Sequence, residues 1–119
     1  RQRQFLDDVG VLDGERLAAG LKAAHRRWPT GIYALWYPIK EGAPVNKFLA
    51  LLERSGIRKQ LLAVLNVQAG GVGLTGCGMV VVNPPWQIED DMRALVHWLA
   101  RRLGRGRGAG GSVTWLVPE

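Results

Sequence analysis

An α/β domain whose sheet has a parallel part and an antiparallel part is the fold this sequence predicts, and three observations predict it. Apolar positions recur at helical spacing in several segments, and short β-branched and aromatic runs separate those segments. The order along the chain is helix, strand, helix, strand, strand, helix, strand. With 119 residues, 47% of them hydrophobic and 22% charged, the chain has material for one core and not for two.

The first helix is carried by Leu17, Leu21, Ala24 and Trp28 on one face, with Glu15, Arg16, Lys22 and Arg26 pointing elsewhere, and covers residues 14–28 until Pro29 stops it. Residues 32–37 are apolar on both faces and closed by Pro38, which reads as a buried central strand. Pro44 sits where a first helical residue can lack its N–H, and Val45, Phe48, Leu49 and Leu52 repeat at helical spacing until Gly56. Residues 58–68 and 78–82 form two strands joined by the glycine-rich turn 70–76. The last helix starts near Glu89, with Ile88, Met92, Leu95, Val96, Leu99 and Leu103 along one face. Glu89, Asp90 and Asp91 in its first turn and Arg101 and Arg102 in its last complement the helix dipole. A basic glycine loop, 104–111, leads to a final strand over 112–117.

Several classes are excluded. No apolar run approaches the roughly 18 residues a membrane helix needs, and the start Arg1-Gln2-Arg3-Gln4 lacks the apolar stretch of a signal peptide. The single cysteine, Cys77, excludes an internal disulfide framework and a multi-cysteine zinc site, so the expected compartment is the cytoplasm. His25 and His97 have no second ligand at metal spacing, so no metal is expected. The net charge of +6 makes a polyanion such as nucleic acid a candidate partner.

The glycine clusters carry a further expectation. A doubly wound sheet that holds a nucleotide-type cofactor uses a strand, a glycine turn and a helix, in that order. Here the cluster at 70–78 joins two strands, and the cluster at 104–111 leaves a helix and enters a strand. Neither has the polarity that cradles a ligand at a helix N-terminus. The pattern is that of half a sheet: residues 1–119 are expected to be a single partial domain.

Asn83-Pro84-Pro85-Trp86 is the most specific local signal. An Asp/Asn-Pro-Pro-aromatic run at a strand end is the amine-binding motif of adenine and cytosine amino-methyltransferases. A side-chain oxygen and a backbone carbonyl accept hydrogen bonds from the exocyclic amine, and the aromatic ring stacks on the base. The competing reading of Asn83, Pro84 and Trp86 is a strand exit set by two prolines, with Trp86 plugging the core. Tyr37 and Lys40 end a strand, where open α/β sheets place their ligand crevice, and so are substrate-adjacent candidates; a stacked core tyrosine and a solvated lysine are the alternative. Arg105 and Arg107, among glycines, are RNA-contact candidates, although a connecting loop explains them equally well. Cys77 has no activating neighbour in sequence, and Trp98 and Trp115 fit the apolar faces of their elements.

Residues 28–40 (WPTGIYALWYPIK), 76–86 (GCGMVVVNPPW) and 113–119 (VTWLVPE) together resemble the C-terminal half of the bacterial RlmJ family. The likeness covers residues 14–119, and residues 1–13 match poorly. The resemblance implies the C-terminal half of a Rossmann-like, S-adenosylmethionine-dependent methyltransferase sheet, in an enzyme that methylates the exocyclic amine of an adenine in large-subunit ribosomal RNA. In that family the catalytic Asp-Pro-Pro-Tyr/Phe motif precedes the helix that here spans 14–28, and the cofactor residues lie earlier still. The resemblance therefore implies that S-adenosylmethionine binds the full-length enzyme and not this piece alone. No catalytic residue is expected here, and Asn83 is held only as a look-alike. The implied partners are the ribosomal RNA and a missing N-terminal half. A non-catalytic nucleic-acid-binding or scaffold domain is the alternative function.

Overall fold

The computed structural model describes residues 2–40, 45–68 and 74–119, the side chains of residues 2–13, 40 and 74 excepted. The elements α1 (Gln2–Arg27), β1 (Tyr33–Lys40), α2 (Val45–Glu53), β2 (Gln60–Asn66), β3 (Leu74–Val82), α3 (Ile88–Leu103) and β4 (Gly110–Val117) follow in the expected order. β2 is shorter than expected and β4 begins two residues earlier, at Gly110, and three other differences are informative. α1 begins about a dozen residues before the expected start, because the interior glycines at 10 and 14 each cost only about 1 kcal/mol relative to alanine. β1 continues through Pro38 to Lys40, and β3 already includes Thr75 and Gly76 of the expected turn. Pro44 and turn residues 70–73 lie outside the described residues.

The strand order is β1-β3-β2-β4, and every described ladder is antiparallel. This corrects the expectation of parallel neighbours. β1 and β2 do run the same way, and so do β3 and β4, as the strand-helix-strand pattern implies. Each crossover steps over one strand of opposite direction, so no two same-direction strands touch. The alternation of helices and strands encodes direction but not who sits beside whom.

Helices cover the sheet unequally. On one face Ala18 and Leu21 of α1 and Phe48 and Leu52 of α2 pack on Leu35, Tyr37, Val80 and Val82. Gln60 is fully buried there, and its Nε2 donates to Leu52 O and Ile57 O, each at 2.9 Å, which ties the end of α2 to the start of β2. On the other face Val96, Ile88 and Met92 of α3 pack on Leu61, Ala63 and Val113. α3 approaches β4 so closely that a Cβ at Gly111 would run into the Val96 side chain. Its first turn is clamped by Glu89, which accepts from Arg93 Nη2 at 3.0 Å and from Trp115 Nε1 at 3.1 Å, while Arg93 also donates to Val113 O at 2.9 Å. The four fully buried aliphatic side chains Leu52, Leu61, Val80 and Val82 each stabilise the fold by about 1.5–3 kcal/mol.

β1 is an edge strand, not the central strand that its sequence suggests. Leu35 and Tyr37 are buried under α1 and α2, but Ala34 and Trp36 point to the opposite face, where α3 covers β2 and β4 and leaves β1 bare. Trp36 is 53% exposed as a result. Pro38 fits this position, since a residue without an N–H is tolerated on an edge strand. An unpaired strand edge beside an exposed indole is a template for self-association. The isolated chain is therefore expected to sediment as dimers or larger species at tens of micromolar, and Trp36→Lys to shift it toward monomer. A wild-type chain that stays monomeric at that concentration contradicts this reading of the edge.

Candidate functional site

The strand directions sort the candidate residues onto opposite ends of the sheet. β3 is 9 residues long, so its ends lie about 27 Å apart. Lys40 stands opposite Leu74 at one end, just past a register shift after Ile39. The 105–107 loop belongs to the same end, because the Arg105 N–H donates to Val67 O at 2.7 Å. Asn83, Pro84 and Trp86 leave the other end of β3, beside the starts of β1 and β2. Asn83 to Trp86 and the pair Tyr37 and Lys40 thus do not form one site in this chain.

At the Asn83 end the geometry is that of a latch. Asn83 takes a left-handed backbone conformation with φ 55°, which asparagine tolerates better than most residues. Its backbone N–H donates to Lys59 O at 3.0 Å. Its Nδ2 donates to Pro29 O at 2.9 Å and to Gly31 O at 2.8 Å, so both amide hydrogens hold the α1–β1 connection against the exit of β3. The Tyr33 hydroxyl adds a bond to Trp28 O at 2.8 Å on the same connection. Pro85 O accepts from Ile88 N at 3.1 Å and starts the turn into α3.

Trp86 is 88% exposed, so it is not a core plug. The left-handed Gln87 that follows, with φ 73°, forms a turn that leaves the indole in solvent. Glu89, Asp90 and Asp91 in the first turn of α3 make the neighbourhood acidic. That charge opposes a polyanionic ligand at Trp86.

Midway along β1, opposite Gly78, Tyr37 is 6% exposed, with its ring edge-on to Phe48 at a centroid distance of 5.5 Å. The ring also covers Gly78 of the neighbouring strand, where a Cβ would collide with it. Burial, and then the nearby Cys77, raises the phenol above the ordinary tyrosine value, so it stays protonated at neutral pH. Tyr37 occupies the core and presents no face for stacking. Lys40 is placed by its backbone alone. Arg105 and Arg107 are exposed, and so are Arg101 and Arg102 at the end of α3.

The sequence accounts for Arg101 and Arg102 by the helix dipole and for Trp98 by the apolar face of α3. Trp98 is instead 47% exposed, and the Arg102 guanidinium sits over its ring at 5.3 Å from the centroid. Trp115 is likewise partly exposed, and its N–H bonds Glu89. The run from 101 to 107, four arginines in seven residues, was the available signal. Among the described residues no group of three or more His, Cys, Asp or Glu side chains is arranged to hold a metal ion.

Residues 11–117 match the family described as "Ribosomal RNA large subunit methyltransferase D, RlmJ". The chain belongs to that family. Two curated relatives carry the name "Ribosomal RNA large subunit methyltransferase J". The one from Escherichia coli (strain K12) is 38% identical over 110 residues, which is 90% of this chain and 39% of the relative. The one from Haemophilus influenzae (strain ATCC 51907 / DSM 11121 / KW20 / Rd) is 33% identical over 109 residues, with the same coverage of 90% and 39%. This member of the RlmJ family therefore spans about two-fifths of the length of those relatives. A crystal structure of a protein from Legionella pneumophila str. Philadelphia 1 superposes with a TM-score of 0.74 over 87% of this chain and 38% of that one, at 23% identity, which establishes a shared fold. Among the described residues no helix is long and apolar enough to cross a membrane.

Proposed function

We propose that this chain is the distal, C-terminal part of a cytoplasmic, S-adenosylmethionine-dependent enzyme that methylates the exocyclic amine of an adenine in large-subunit ribosomal RNA. The observation that carries the proposal is the family match across residues 11–117. The bare edge of β1 supports it, because a strand apolar on both faces calls for a partner strand and a covering helix. Residues 1–119 are then one partial domain, and the remainder of the same domain is its first partner. Ribosomal RNA is the second.

The described residues do not fit S-adenosylmethionine. The start of α3 is preceded by two prolines and a tryptophan in place of a glycine turn, and its first turn carries three acids. No step of the reaction is therefore assigned to this chain, and Asn83 is a latch. Pro84 and Trp86 belong to the latch end, and Tyr37 supports the floor beneath the β1 terminus. Lys40, Arg105 and Arg107 border the RNA at the end where β1 and β2 terminate.

Titrating S-adenosylmethionine into the isolated chain tests the reading. No saturable heat or chemical-shift change is expected up to millimolar ligand. Micromolar binding would overturn the partial-domain reading and return Asn83 to candidacy as an acceptor of the substrate amine.

A further inference from the structure

We propose that the last turn of α3 and the loop after it form an RNA-docking surface, in which Arg101, Arg105 and Arg107 hold phosphates and the Trp98–Arg102 pair stacks on one unpaired base. The inference deepens the reading above, since it takes from it that the polyanion is RNA. It adds Arg101 and the Trp98–Arg102 pair to the contact that the reading places at Arg105 and Arg107.

Three observations converge on this surface. First, the charge there is unbalanced: all four arginines are exposed, and among the described residues none of them stands in an ion pair. Helix-dipole compensation accounts for Arg101 and Arg102 but not for Arg105 and Arg107, which lie beyond the helix. The acids of α3 are gathered at its other end, so the helix presents one basic and one acidic pole.

Second, the loop is folded back on the protein. Gly104 N donates to Ala100 O at 2.9 Å, Arg105 N to Val67 O at 2.7 Å, and Ala109 N to Gly106 O at 3.4 Å. Gly106 and Gly108 take φ values of 82° and 84°, which only glycine adopts without strain. These turns keep Arg105 and Arg107 beside the last turn of α3, where an extended linker would carry them away.

Third, Trp98 is large and half-exposed, and it is already paired face to cation with Arg102. An exposed indole beside arginines is the arrangement that single-stranded nucleic acid uses for sequence-tolerant stacking. Trp86 is more exposed than Trp98 but stands among acids, so charge separates the two. The surface also lies at the end of the sheet that holds Lys40.

The test is fluorescence anisotropy of a labelled 12-nucleotide single-stranded RNA titrated with the 119-residue chain over a series of salt concentrations. With three arginines on phosphates, log K is expected to fall with log salt at a slope of about −2.1. Arg101→Gln with Arg105→Gln should weaken binding and reduce the slope by about 1.4. Trp98→Ala should weaken binding about tenfold with the slope unchanged, and Trp98→Tyr should restore most of it. A duplex of the same length should show no loss with Trp98→Ala. Melting curves confirm that each variant is folded.

Binding that none of these variants alters places the contact elsewhere and overturns the proposal, as does the absence of salt-dependent binding. Equal losses on single strand and duplex with Trp98→Ala overturn the stacking. If patch variants bind RNA normally while a full-length hybrid enzyme carrying this chain transfers methyl groups, the surface fails and the enzymatic reading stands. Patch-dependent binding together with an inert enzyme is the reverse case.

Discussion

Asn83→Asp should destabilise the chain by about 2–4 kcal/mol, more than most single changes outside the core. Asn83 Nδ2 donates to both Pro29 O and Gly31 O, and a carboxylate has no hydrogen to offer either. The substitution removes two bonds of about 1 kcal/mol each and sets a negative charge against two carbonyl oxygens. Asn83→Ala should lose about 2–3 kcal/mol, from the same bonds and from the left-handed backbone that alanine resists. The aspartate variant is the decisive one. An oxygen that accepts a substrate amine works as well in aspartate as in asparagine, so that role predicts unchanged stability.

The pH dependence follows from the same geometry. Crowding by two carbonyl oxygens should raise the folded-state pKa of the introduced carboxyl above its unfolded value of about 3.9. A raised folded pKa gives stability that is present below the unfolded pKa and is lost as pH rises through the folded one. The deficit of Asn83→Asp should therefore shrink toward pH 4 and be largest at neutral pH. Urea midpoints of the two variants at pH 4 and pH 7 check both statements, and an aspartate variant as stable as wild type at pH 7 contradicts the latch.

The kind and order of elements were legible in this sequence because each one satisfies a local rule. Leu17, Leu21 and Ala24 repeat at helical spacing, and acids and arginines bracket α3. The neighbour relations were not legible. Nothing in residues 74–82 states that β3 inserts between β1 and β2, because insertion depends on which ladder closes best and not on any local period. Reading Pro38 as a terminator followed from the same gap, since a proline inside a strand is excluded only when both edges are paired.

The candidate site was legible as a set of residues but not as places. Asn83 and Tyr37 each stood out by chemistry, yet Asn83 leaves the end of β3 while Tyr37 stands opposite Gly78 at its middle, about half the strand away. Trp86 and Trp98 could not be told from core tryptophans by spacing, because helical and strand periods predict a face and not whether another element covers it. α3 spans only β2 and β4, so part of its apolar face, Leu95 included, remains in solvent.

Methyl transfer by a reconstituted enzyme tests the central claim most directly. The segment of this chain that aligns with the Escherichia coli relative over 110 residues would replace its counterpart in that relative. The hybrid would then be incubated with labelled S-adenosylmethionine and unmodified large-subunit RNA, and the digested RNA analysed for methylated adenine. Incorporation at the adenine exocyclic amine, by a hybrid that melts cooperatively, is the expected result. A cooperatively folded hybrid that binds S-adenosylmethionine yet leaves the RNA unmethylated would contradict it and favour a non-catalytic nucleic-acid-binding domain.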